Sequence, residues 1–207
     1  MGKHLELFFL DNRQYRDPSS SVDDEKDGKT MLGYEQMQWL QDSLSASAAT
    51  WKVIVSSVPI SVPTGANGRD GWANFDESTG FESEMWKLLR FMQTNSVNNV
   101  LFITTDIHFG TGFRYRPFPE HADFEFYEFV SGPLNAGAYL RKEYDTTFGP
   151  ERLYLYGSDS IKTFDAAIRW FNYGELEVDK DQSMHMRLIN GLGEVVFSTV
   201  LKPVTRN

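Results

Sequence analysis

The stretch VLFITTDIHFG, Val100 to Gly110, decides how the rest of the chain is read. Its apolar run is the pattern of a strand buried on both faces, and it ends on an aspartate and a histidine two residues apart. In open α/β sheets, ligands collect beyond the carboxyl ends of the strands, so Asp106 and His108 become the first candidates for chemistry. Alternate side chains of an extended chain share a face, and a carboxylate with a neutral imidazole at that spacing suits a transition metal. A plainer reading, a loop-capping aspartate beside a hydrogen-bonded histidine, is open on the same residues.

Outward from this strand the chain alternates. LELFFLD (Leu5 to Asp11) and WKVIVSS (Trp51 to Ser57) are further buried-strand candidates. Between them, Met37, Leu40 and Leu44 give one apolar stripe and predict a helix from Tyr34 to about Ser47. Phe81, Met85, Leu88 and Met92 predict a second helix, with Ser78 as its N-cap and Glu82 and Glu84 favouring the positive end of its dipole. Strand, helix, strand, helix, strand is the signature of an α/β layer. After Gly110 the pattern changes to short strands in FEFYEFVSG, FNYGELEVD, SMHMRLING and EVVFSTVLKP, the last two joined by NGLG as an antiparallel hairpin. SSSVDDEKDGK reads as a solvated loop, and the Pro- and Gly-rich Val58 to Gly80 as a long loop of the kind that carries function.

The composition narrows the function. A chain of 207 residues, 41% hydrophobic and 14% aromatic, buries a real core and fits one domain or two. Twenty basic against 29 acidic residues, a net charge of −9, argue against a nucleic-acid surface. No apolar run is long enough to span a membrane, and no signal peptide is legible in MGKHLELFFLDNRQYRD. Without cysteine there is neither a disulfide nor a thiolate ligand. The G-x-S-x-G, Walker and H-E-x-x-H patterns are absent, which removes the serine hydrolase, nucleotide triphosphatase and zincin readings.

Two further groups could carry chemistry. DNRQYR, Asp11 to Arg16, follows a strand end with one carboxylate and two guanidiniums. Arg13 or Arg16 could grip phosphate oxygens, or the loop could be locked by salt bridges. In GRDGW the same choice applies to Arg69 and Asp70, and Trp72 either lines a pocket or anchors the loop to the core. His185 lies inside a strand pattern and faces away from Met184 and Met186, while His121 has no paired ligand nearby.

Taken in order, LDNRQYRD, LGYEQMQWLQDSLSAS, WKVIVSSVP, DGWANF, VLFITTDIHFG and FYEFVSGPLNAG resemble the alkaline phosphatase D (PhoD-like) metallophosphatase family across nearly the whole chain. The resemblance implies a calcineurin-like αββα sandwich. It also implies a metal centre, iron with calcium, that hydrolyses phosphomonoesters and phosphodiesters through a metal-bound hydroxide. Position by position, Asp106 and His108 match the Gly-Asp-x-His block as metal ligands and catalytic residues. Thr105 departs from that block, adding a β-branched side chain where glycine usually gives the backbone room. Asp11, Arg13 and Arg16 match the Asp-x-Arg-x-x-Arg block, and Asp70 and Trp72 the loop near the cleft, all as substrate-binding or site-supporting residues.

The family's other ligand blocks precede the Asp-x-Arg-x-x-Arg block, ahead of which stand only ten residues here. The expectation is therefore one domain over residues 1–207 that lacks its N-terminal half, with an exposed apolar sheet face and unpaired strand edges. Self-association or pairing with an N-terminal partner follows. The alternative function is a non-catalytic fragment, or a binding module built on the C-terminal sheet. Members of the family are often secreted or periplasmic.

Overall fold

The computed structural model describes residues 3–24, 28–74 and 79–204. In chain order the elements are β1 (Leu5–Phe9), α1 (Gly33–Ala46), β2 (Trp51–Val55), α2 (Glu82–Thr94), β3 (Val100–Thr104), β4 (Gly110–Tyr115), β5 (Phe126–Val130), β6 (Pro150–Tyr156), α3 (Phe164–Ile168), β7 (Asn172–Val178), β8 (Met184–Asn190) and β9 (Val195–Leu201). A six-stranded mixed sheet has the order β1-β2-β3-β5-β4-β6, and a three-stranded sheet the order β7-β8-β9. β1, β2, β3 and β5 run parallel, β4 and β6 turn back antiparallel, and the second sheet is antiparallel throughout.

The parallel strands are mostly apolar because both of their faces are covered, with Glu6, Lys52 and Glu128 as the charged exceptions. On one face Phe8, Ile54, Phe102 and Phe126 meet Leu40 and Leu44 of α1 and Met85, Leu88 and Met92 of α2. On the other, Trp51, Val53, Leu101 and Phe129 pack against Met184, Met186, Leu188 and Leu201 of the second sheet. Each such aliphatic side chain contributes about 1.5–3 kcal/mol by leaving water. The result is a helix layer on a mixed sheet on an antiparallel sheet, with β3 at the centre.

β4 and β6 were hidden from pattern reading. β4 carries Gly110 and Gly112, and a side chain at Gly112 would run into the Tyr154 ring, with a Cβ 2.3 Å from the nearest ring carbon. β6 begins on Pro150. The NGLG hairpin forms, closed by Gly193 N–H to the Asn190 carbonyl at 2.9 Å, with Gly193 at φ +80°.

The outer face of the second sheet is not apolar. Arg187 bridges Glu175 and Glu177, and His185 pairs with Asp179 at 2.7 Å. Among the described residues β1, β6, β7 and β9 each pair on one side only. No described helix is long and apolar enough to cross a membrane.

Burial overrides the dipole at the start of α2. The expected cap, Ser78, lies outside the described residues, and Phe81 precedes the helix with no side-chain cap. Glu84 turns away to cap α1 instead: it accepts from Met31 N–H (2.7 Å), Leu32 N–H (3.0 Å) and the Thr30 hydroxyl, whose oxygen accepts from Gly33 N–H. Burial pushes the Glu84 carboxyl up. Lys29 is buried close by, donating to the carbonyls of Ser19, Ser21 and Thr79 and lying 4.2 Å from the Phe81 ring centre, which ties the preceding loop to this helix.

Glu82 accepts from Asn74 N–H at 2.9 Å, while its Oε2 is buried without a partner among the described residues. Burial, aided by the Asp23 and Asp145 carboxylates, pushes it up to about 7. A pKa raised in the folded state gives stability that is complete below about 4.5 and lost as the pH climbs through about 7. Glu82→Gln should therefore gain thermal stability over the parent at pH 8.5 and lose that advantage at pH 5. Equal offsets at the two pH values in scanning calorimetry would refute the assignment.

Candidate functional site

The carboxyl ends of β1, β2 and β3 come together at one edge of the molecule. Beyond β3 the chain leaves the sheet at once, and Thr105 to Phe109 form a bend rather than a continued strand. Asp106 adopts φ +76°, a left-handed conformation that aspartate tolerates better than most residues. Such a conformation costs of order 1–3 kcal/mol and persists only where the surroundings hold it. Strand alternation therefore does not aim Asp106 and His108; the bend does. The backbone demand falls on Asp106 rather than Thr105, whose exposed side chain is accommodated without crowding.

Asp106 is held from two sides. Thr64, in the long loop after β2, donates its hydroxyl to Oδ2 at 3.0 Å, and Arg13 Nη2 lies 3.6 Å from Oδ1. Arg13 also lies 3.7 Å from Asp70, whereas Arg16 makes a true hydrogen bond to Asp70 at 3.1 Å. The two arginines thus differ. Arg16 is locked, with its side chain 19% exposed, while Arg13, 45% exposed, makes only loose ion pairs beyond hydrogen-bond length. Asp70 is the hinge between them, and Gly65 at φ +75° leaves the space its carboxyl fills.

Asp11 shapes this arrangement without entering it. Its Oδ1 accepts from Arg13 N–H and Gln14 N–H, both at 2.9 Å, and these bonds hold its carboxyl below the usual range. Gln36 of α1 clamps its backbone on both sides. Asn12 is buried, with its oxygen taking Ser57 N–H at 2.9 Å. Among the described residues its Nδ2 and Arg16 Nη1 are buried donors without an acceptor, and an ordered water or a ligand oxygen would satisfy them. Trp72 is fully buried and donates from Nε1 to Ser56 Oγ at 3.3 Å. It anchors the loop to the core.

His108 is set by the segment after β5, which the sequence marked as a block but not as a partner of this histidine. Its Nδ1 hydrogen-bonds the Gly137 carbonyl, and Tyr139 lies beside it with ring centres 5.4 Å apart. A carbonyl can only accept, so Nδ1 carries a proton, and in the neutral ring the lone pair is on Nε2. The chain leading to Gly137 is pinned where it leaves β5, because Asn172 exchanges hydrogen bonds with both backbone groups of Gly132. Under the site, buried Glu128 of β5 accepts from Ile60 N–H (2.8 Å), the Thr104 hydroxyl (2.7 Å) and the Tyr115 hydroxyl. It ties the loop bearing Thr64 to the strand end bearing Asp106. Burial pushes its carboxyl up, and the Tyr115 phenol beside it up as well.

Among the described residues no group of three or more histidines, aspartates, glutamates or cysteines is placed to hold a metal ion. Asp106 and His108 supply two donors. Thr64, Gly137, Tyr139 and Asn172 complete the constellation through loop and backbone contacts that side-chain motifs do not encode, although SGPLNAG marked the right segment.

Comparison with known proteins bears on the family and the fold. Alkaline phosphatase D of Bacillus subtilis (strain 168) is 29% identical over 107 residues, covering 48% of this chain and 18% of that protein. A solved structure of PhoD superposes with a TM-score of 0.56 at 20% identity, covering 97% of this chain and 43% of the other. The chain thus spans less than half the length of the relatives it matches. The sequence profile of the PhoD-like phosphatases matches residues 1–188, nearly the whole chain, and on that evidence the chain belongs to the PhoD-like phosphatase family.

Proposed function

We propose that this chain carries one part of a metal-dependent phosphoesterase centre, set in a calcineurin-like sandwich, that hydrolyses phosphate mono- and diesters. One observation carries the reading: His108 donates a hydrogen bond from Nδ1–H to the Gly137 carbonyl, so that in the neutral ring Nε2 is the atom left to ligate, two residues from Asp106. A ligating histidine is held in the same way, its second nitrogen fixed by an outer partner. The family suggests iron and calcium as the ions. The residues fit such a centre in kind but not in number, since two donors do not enclose two ions, and the remainder come from outside the described residues.

The ions, when bound, would lower the pKa of a water for attack on phosphorus and offset the charge of the phosphoryl oxygens. The chain's own residues do the rest. Arg13 swings from its loose pairs with Asp70 and Asp106 onto the phosphoryl oxygens, where a guanidinium binds through two parallel hydrogen bonds. Arg16 and Asp70 fix the base of that movement. Thr64 keeps the Asp106 carboxylate turned toward the site.

The test is assembly with the preceding portion of a relative's domain, followed by elemental analysis and assay on p-nitrophenyl phosphate and its bis-ester at alkaline pH. Turnover should appear, fall to background on chelation, and return with the ions. A metal-loaded assembly that hydrolyses neither ester overturns the proposal. The short donor set favours a second reading, a split-domain half inactive by itself. It would be supported if the lone chain retains no ion and the assembly does.

A further inference from the structure

Beside the Asp106 and His108 pair lies a cavity of about 400 Å³, bounded by Pro63, Thr64 and Gly65 on one side and by Tyr139, Arg141 and Glu143 on the other. Two of its walls are groups that position the pair: the Thr64 hydroxyl on Asp106 and the Tyr139 ring beside His108. We propose that this cavity receives the ester substituent that a phosphodiester carries and a monoester lacks, with Tyr139 and Arg141 determining which substituents are accepted. The inference rests on the phosphoesterase reading above.

Size and location come first. Small-molecule sites occupy about 300–1,000 Å³ and combine apolar surface with a few placed polar groups. A bare phosphoryl group needs only the space at the pair itself, so a separate adjoining hollow serves something attached to it. Tyr139 is 42% exposed, yet its ring meets both His108 and Phe109, at 5.4 and 5.7 Å. Its ring is therefore held in place with one side left to solvent, as a stacking platform requires.

Charge then selects the occupant. Arg141 Nη1 donates to the Pro63 carbonyl at 2.6 Å, which fixes the guanidinium, and its other N–H groups have no partner among the described residues. Glu143 lines the same hollow and offsets the arginine's charge. A second phosphate would meet that carboxylate. A neutral organic group with an oxygen to accept from Arg141 and a flat or C–H face to lie on Tyr139 meets no such penalty.

The test uses the full chain, ¹⁵N-labelled, titrated with phenyl phosphate and with diphenyl phosphate. Both should shift the His108 amide, and only the diester should shift Tyr139, Leu140 and Arg141. In Tyr139→Ala and Arg141→Ala, the ratio of diester to monoester affinity should fall about tenfold. Diester shifts confined to His108, or a ratio that does not move in folded variants, overturn the subsite and leave the phosphoesterase reading standing. Absence of shifts anywhere with either ligand also overturns the subsite, while the phosphoesterase reading is decided by turnover of the metal-loaded assembly.

Discussion

Glu128→Ala is expected to cost about 3–5 kcal/mol of stability, the largest single loss predicted for this chain. The substitution strands Ile60 N–H, the Thr104 hydroxyl and the Tyr115 hydroxyl in a place water does not reach, and each unsatisfied group costs about 1–3 kcal/mol. Partial relaxation keeps the total below the simple sum. For a domain of this size the midpoint should fall by roughly 10 °C in a thermal melt. Glu128→Gln retains one oxygen for two of the three donors and should lose only about 1–2 kcal/mol. Urea denaturation of the three proteins decides it: an alanine variant within 1 kcal/mol of the parent would mean that the network is ornamental. Because Glu128 joins the loop of Thr64 to the end of β3, residual folded Glu128→Ala should also hold Asp106 less firmly.

His108→Ala should have the opposite profile, with little effect on folding and a severe one on turnover. The imidazole is only partly buried, and its bond to Gly137 lies at the surface, so stability should stay within about 0.5 kcal/mol. In the assembled protein, kcat/KM on p-nitrophenyl phosphate should drop by at least roughly 10³-fold. That exceeds the 10–100-fold loss seen when only an outer partner of a metal ligand is removed. Metal content should fall with it. Turnover within tenfold of the parent, at unchanged metal content, would remove His108 from the centre and return it to the role of a hydrogen-bonded loop residue.

What the sequence disclosed depended on the kind of contact. WKVIV and VLFIT declared themselves as strands because burial on both faces favours apolar residues at nearly every position, Lys52 and Thr104 excepted, and Met85, Leu88 and Met92 declared α2 by their spacing. GTGFRY did not, since the glycine that Tyr154 requires at Gly112 reads locally as a strand breaker. Asp106 and His108 were legible as a pair, and DNRQYR as a loop of consequence. The ion pairs joining Arg13 to Asp70 and Asp106 span more than fifty residues and leave no periodic trace. Gly137 acts through its carbonyl, which every residue possesses, so no side-chain pattern could have marked it. The α/β layer and the antiparallel C-terminal strands were legible in the order and spacing of the patterns. The polar outer face of the second sheet was not, because the charges on Arg187, Glu175 and Glu177 are read as a surface only once the strands are paired.

The order of the strands also sets the order in which the site fails. β3 has a neighbour on each side, whereas β1 is paired only with β2 among the described residues. Fraying begins where backbone bonds are fewest, so a brief excursion of the sheet margin releases β1 and the turn that follows it while the centre stays native. Arg13 and Arg16 would leave with that margin, and Asp106 and His108 would remain. Under the proposed reading, warming would therefore strip the anion-binding side of the site well before the chain melts, as a local event at an edge.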